Sequence, residues 1–144
     1  MQLEVRIERL GAQGDGVTDG AHGPLFVPFA LPGESVSVAV EPGSDRAGLI
    51  EVLEPSPDRV APICPHFGVC GGCALQHLEQ RAYLAWKREL VLAALRSRGL
   101  EADVEEVRPV PLDSRRRAGA RAWSRQAPDR FRLSPRPLAR ADRH

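Results

Sequence analysis

Within the first 55 residues, several short apolar or alternating runs separated by Gly and Pro turns read as short strands. Residues 3–10, Leu-Glu-Val-Arg-Ile-Glu-Arg-Leu, alternate apolar and charged side chains apart from the Glu8-Arg9 step, the period-2 pattern of a strand with one buried face. Gly11, Gly14 and Gly16 follow as a turn-rich connection. Residues 25–29, Leu-Phe-Val-Pro-Phe, read as a short strand. Pro28 cannot donate to a ladder, which places it near an edge or an end. Leu31-Pro32-Gly33-Glu34 is a turn, and residues 35–40, Ser-Val-Ser-Val-Ala-Val, alternate again. Pro42-Gly43-Ser44-Asp45 turns the chain into an apolar-rich strand from Ala47 to Leu53. Short strands set apart by Gly and Pro turns predict a small closed β-barrel of the OB-like kind over residues 1–60.

Pro55, Pro57 and Pro62 break the strand pattern and mark a linker. A second segment, residues 61–111, opens with a cysteine-rich loop. After it, Leu78, Ala82, Trp86, Leu90 and Ala94 recur at helical spacing, with Arg81, Lys87, Arg88 and Arg96 on other faces. The spacing predicts a helix over 79–98, with Gly99 as its C-terminal cap. Tyr83 and Trp86 are expected to pack that helix rather than to stack on bases. Residues 102–110 read as one more strand. The fold class expected is therefore mainly β with one helix.

From Leu112 the chemistry changes. No Val or Ile occurs after Val110, and ten of the last 33 residues are Arg. Without a sustained period of 2 or 3.6, residues 112–144 have the composition of a disordered tail. The same composition would arise from GC-rich coding sequence read out of frame. Formal charge is equally uneven: −6 over residues 1–60, neutral over 61–111 and +7 over 112–144. An acidic barrel is a poor electrostatic partner for nucleic acid, and an Arg-rich tail is a good one. No apolar run approaches the roughly 20 residues that span a bilayer. The amino-terminal Met1-Gln2-Leu3-Glu4-Val5-Arg6 has no apolar signal region. A cytoplasmic chain with reduced thiols is the expectation.

Cys64, Cys70 and Cys73 are the chain's three cysteines, spaced C-x5-C-x2-C. In a reducing compartment such spacing points to metal binding more than to disulfides. Thiolates select zinc or iron–sulfur centres, and either centre usually takes four ligands. Gly71 and Gly72 let the backbone turn tightly between Cys70 and Cys73. His66 or His77 could complete a zinc site, although each reads better as a surface or supporting residue. Spacing alone leaves zinc and iron–sulfur both open. No catalytic set stands out, and Gly11-x-x-Gly14-x-Gly16 lacks the helix that a dinucleotide fingerprint requires.

The stretch from Cys64 to Lys87 resembles the iron–sulfur segment of the bacterial 23S ribosomal RNA (uracil-C5)-methyltransferases. Ile7-Glu8-Arg9-Leu10, Gly14-Asp15-Gly16-Val17 and the run from Pro24 to Glu34 resemble that family's N-terminal TRAM domain, an OB-like RNA-binding barrel. Arg115-Arg116-Arg117-Ala118 is similar to the basic run that opens the family's central domain. The resemblance covers residues 3–118 and implies an N-terminal fragment of such an enzyme. It implies that Cys64, Cys70 and Cys73 are three of the four ligands of a four-iron four-sulfur (4Fe-4S) cluster. The family's fourth cysteine, its S-adenosylmethionine-binding domain and its catalytic residues lie further downstream, so no catalytic residue is assigned here. Ribosomal RNA is the implied partner and a monomer the expected state. Arg6, Arg9, Arg46, Arg115, Arg116 and Arg117 are candidate RNA contacts. The alternative is a freestanding RNA-binding module with a structural zinc site.

Overall fold

The computed structural model describes residues 1–112 and Ser114. The tail expectation, with Arg115, Arg116 and Arg117, lies outside the described residues. The rest is mainly strand with one helix: β1 (Gln2–Arg6), β2 (Arg9–Leu10), β3 (Gly16–Gly20), β4 (Gly23–Val27), β5 (Ser35–Val40), β6 (Ala47–Glu54) and α1 (Gln80–Arg96).

The strands form two three-stranded antiparallel sheets, β1-β5-β6 and β2-β3-β4. One run of alternating residues serves both. It pairs with β5 through Gln2–Arg6 and with β3 through Arg9–Leu10. The expected single strand over 3–10 therefore bends at Ile7 and Glu8 and changes partner. Ile7 donates to the Glu34 carbonyl and Glu8 to the Val17 carbonyl, so neither amide is stranded by the bend. At the other side, Phe26 and Arg46 form a parallel bridge between the sheets, and the Phe26 amide donates to the Asp45 carbonyl at 2.8 Å. The sheets thus meet along both edges. This closure is compatible with the OB-like barrel expected from the sequence.

β5 and β6 fall where the alternation placed them, with β6 one residue longer than expected. β3 corrects the sequence reading, which had taken its start as turn. Its residues, Gly-Val-Thr-Asp-Gly, offer only one apolar side chain. The hairpin with β4 supplies the order that propensity does not. Gly16 is required there: an added Cβ would lie 2.8 Å from the Ala30 carbonyl oxygen and 2.9 Å from Ile7. The strand read over 25–29 ends at Val27 instead. Pro28 and Phe29 form a turn that the Ala30 amide closes onto the Val27 carbonyl.

The barrel core is Ile7, Leu25, Val27, Ala30, Val36, Val38 and Ala47, all buried. Burying a Val or Leu side chain contributes about 1.5–3 kcal/mol, so this cluster drives the barrel's collapse. A second cluster joins Leu31 of the barrel to Leu75 and Leu78, with Tyr83 and Trp86 of α1 packed alongside. Glu79 caps α1 by accepting from the Ala82 amide. Gly99 takes the left-handed φ of 69° at the far end, and the Leu100 amide returns to the Leu95 carbonyl. The strand expected over 102–110 does not form: the segment pairs with neither sheet. That segment is fastened to α1 instead, by Arg88 donating to the Val104 carbonyl at 2.7 Å. Among the described residues no helix is long and apolar enough to cross a membrane.

Candidate functional site

The cysteine loop hangs between two tethers. At its base, the Val60 amide donates to the His77 carbonyl, and Arg59 and Leu78 form an antiparallel bridge. The Cys64 amide donates to Gln76 Oε1 at 3.1 Å, tying the start of the loop to its end. Within it, the Phe67 amide donates to the Cys64 carbonyl, and both Val69 and Cys70 donate to the His66 carbonyl. These turns need left-handed backbone at Gly68 (φ 81°) and Gly71 (φ 72°). Cys70 Sγ accepts the Gly72 amide at 3.4 Å.

All three cysteines are free thiols, Cys64 and Cys70 half-buried and Cys73 exposed. Their chemistry fits a thiolate-ligated metal, with three donors on one loop and a backbone amide on one sulfur. Among the described residues, however, no three His, Cys, Asp or Glu side chains stand close enough together to hold one ion. Cys73 opens onto a groove of about 870 Å³ lined by apolar side chains that include Ile63, Leu75, Tyr83, Val110 and Leu112.

Beneath the loop is a feature that sequence reasoning missed. His77 is buried, with 2% of its surface exposed, not a surface residue. Its ring lies 5.4 Å from that of Phe67 in the cysteine loop and 6.1 Å from that of Phe29 in the barrel. Phe29 and Phe67 meet edge to face at 5.5 Å. Neither imidazole nitrogen has a hydrogen-bond partner among the described residues. Burial, helped by the Arg59 cation, pushes its pKa down to about 4, so the ring is neutral. The signal was faint: His77 sits between Leu75 and Leu78, both of which are buried.

The same joint contains a buried carboxylate. Glu34 is fully buried and receives the Leu31 amide at 2.8 Å, the Ser56 amide at 3.1 Å, and Arg59 Nε and Nη2 at 2.5 and 2.8 Å. Burial pushes its pKa up, but the Arg59 guanidinium and the two amides outweigh that and hold it below the usual carboxylate range. Arg59 also donates to the Phe29 carbonyl at 2.7 Å. The expected linker is thus bolted to the barrel.

The candidate RNA contacts are spread out. Arg6 and Arg9 are exposed, on β1 and β2. Arg46 is exposed but paired with Asp15 at 2.6 Å, which neutralises much of its field. On α1, Lys87 lies over the rings of Tyr83 and Trp86, at 5.4 and 5.2 Å from their centres. Both rings pack against the second core cluster, as expected.

No family model matches the chain. Individual proteins do. An uncharacterized RNA methyltransferase of Mesorhizobium japonicum is 48% identical over 117 residues, 81% of this chain and 27% of that protein. Another from Caulobacter vibrioides is 47% identical over 120 residues, 83% of this chain and 28% of its own length. The 23S rRNA (uracil(1939)-C(5))-methyltransferase of Bordetella pertussis is 48% identical over 87 residues, 58% of this chain and 19% of that enzyme. The chain spans about a quarter of the length of these curated relatives.

Proposed function

The chain belongs to the family of these bacterial RNA methyltransferases, and from that premise we propose that it forms their RNA-binding and cluster-bearing portion. The complete enzyme transfers a methyl group from S-adenosylmethionine to uracil C5 in 23S ribosomal RNA, making 5-methyluridine. The observation that carries the reading is 48% identity across four-fifths of the chain, a span long enough that it must include the cysteine loop. The 144 residues contribute binding, not transfer.

Cys64, Cys70 and Cys73 would hold a 4Fe-4S cluster. The chain has three cysteines, so the fourth thiolate comes from another polypeptide segment. When bound, the cluster supplies a rigid inorganic cross-link. The chain's own part is to present three thiolates on a loop fastened at its base to the barrel. RNA is met by a few side chains rather than by a broad positive field, since residues 1–60 carry a formal charge of −6. Arg6 and Arg9 are the described candidates left free of an ion pair.

One observation favours a second reading, a structural zinc bound by the three cysteines and a histidine. His77 has two buried, unpartnered nitrogens. Anaerobic purification with iron, sulfide and zinc analysis separates the two. A brown protein with iron and sulfide supports the cluster. Colourless protein with one zinc, lost on His77→Phe, replaces it with the zinc site. Filter binding to ribosomal RNA fragments at low salt tests the RNA contact: weakening by Arg6→Ala and Arg9→Ala together supports it, and no binding by the intact chain sinks it.

A further inference from the structure

We infer that Phe29 is the positioning residue through which the barrel seats the cysteine loop. Phe29 is the one residue other than glycine with a left-handed backbone among the described residues (φ 66°). It occupies the third position of the Val27–Ala30 turn, where glycine is the unstrained choice. A phenylalanine there bears a backbone penalty at every moment the protein is folded. The ring's own burial is a weak reason to bear it, because 36% of the residue remains exposed.

The covered face of Phe29 meets Phe67 and His77. Phe67 lies midway between Cys64 and Cys70, and its amide donates to the Cys64 carbonyl. A ring held at Phe67 therefore fixes the turn between those two cysteines. Arg59, itself held by Glu34, donates to the Phe29 carbonyl, so the backbone that carries the anchor is tied to the buried ion pair. Cys73 is different. It lies beyond Gly71 and Gly72, is exposed, and has no part in the three-ring joint. The barrel accordingly orders Cys64 and Cys70 and leaves Cys73 free. Any metal reaching this loop meets two placed donors and one that swings in. This rests on reading the loop as ligand-bearing, but its test does not need the metal.

The test is site-resolved alkylation of the reduced, metal-free chain by iodoacetamide, read by tandem mass spectrometry, with thermal melting in parallel. Phe29→Gly relieves the backbone while removing the ring. It should leave the melting temperature near that of the parent, raise the rates at Cys64 and Cys70 several-fold, and leave Cys73 unchanged. Phe29→Tyr, which keeps the ring, should restore the parent rates. Phe67→Ala should match Phe29→Gly, and carries the comparison should that variant fail to fold. Unchanged rates at Cys64 and Cys70, or one equal acceleration at all three cysteines with a lowered melting temperature, would overturn the proposal. Absence of iron–sulfur colour in the natural protein would overturn the proposed cluster and leave this result standing.

Discussion

At the scale of single residues, two buried groups make the fold sensitive to acid, in separate windows. His77 is neutral when folded, with a pKa near 4 against an ordinary 6.5. Above pH 6.5 neither the folded nor the unfolded ring takes a proton, and the group is silent. Between pH 6.5 and 4 the unfolded chain binds a proton that the folded one refuses, so stability falls as pH falls. The loss is on the order of 3 kcal/mol. His77→Phe should abolish this slope in a series of melts and leave stability at neutral pH equal or slightly raised, since it removes two unpaired buried nitrogens. Glu34 acts lower. Its pKa is held below the usual 4.5, so its contribution is present above that value and disappears as pH falls further. Glu34→Ala leaves Arg59 facing a pocket without an anion. It should cost toward the lower end of about 3–5 kcal/mol, because Arg59 keeps 24% of its side chain in water. Urea melts at neutral pH measure it.

At the scale of elements, the sequence disclosed most where side chains alternate cleanly. β5 and β6 were legible because Val36 and Val38 face the core. The helix and its Gly99 cap were legible because period and punctuation agree. β3 was hidden because its order comes from β4 across the hairpin and not from its own residues. The bend in the first strand was hidden because alternation reports which face is buried and not which strand is the neighbour. The strand misread at 102–110 shows the same limit: local composition does not say whether a segment will pair, and this one pairs with neither sheet. In the candidate site the cysteines were visible as a spacing. Phe29 was not, and His77 was named without its burial, since each takes its place from Phe67, 38 and 10 positions away. A tight closure is also an element-scale liability. Gly16→Ala drives a methyl against the Ala30 carbonyl and Ile7 at the start of β3. It should destabilise by about 1–3 kcal/mol, seen as a lower denaturant midpoint with an unchanged slope.

At the scale of the whole molecule, the division near residue 60 that composition suggested is crossed by packing. Leu31 is a barrel residue with no exposed surface, yet its cluster is completed by Leu75 and Leu78 beyond the cysteine loop. Residues 1–60 alone should therefore bind a hydrophobic dye and melt well below residues 1–112. Equal melting temperatures for the two would show that the second cluster adds nothing to the barrel. The Leu31 cluster also bears on how the chain is made. A ribosome releases residues in order, and domains fold as their parts emerge. The six strands are complete at Glu54, but the cover over Leu31 arrives only with Leu78. Between those two moments the nascent barrel shows an oily window, and the cysteines emerge while it is still open. In the order of synthesis, the thiol loop therefore lies between the barrel and the residues that cover it.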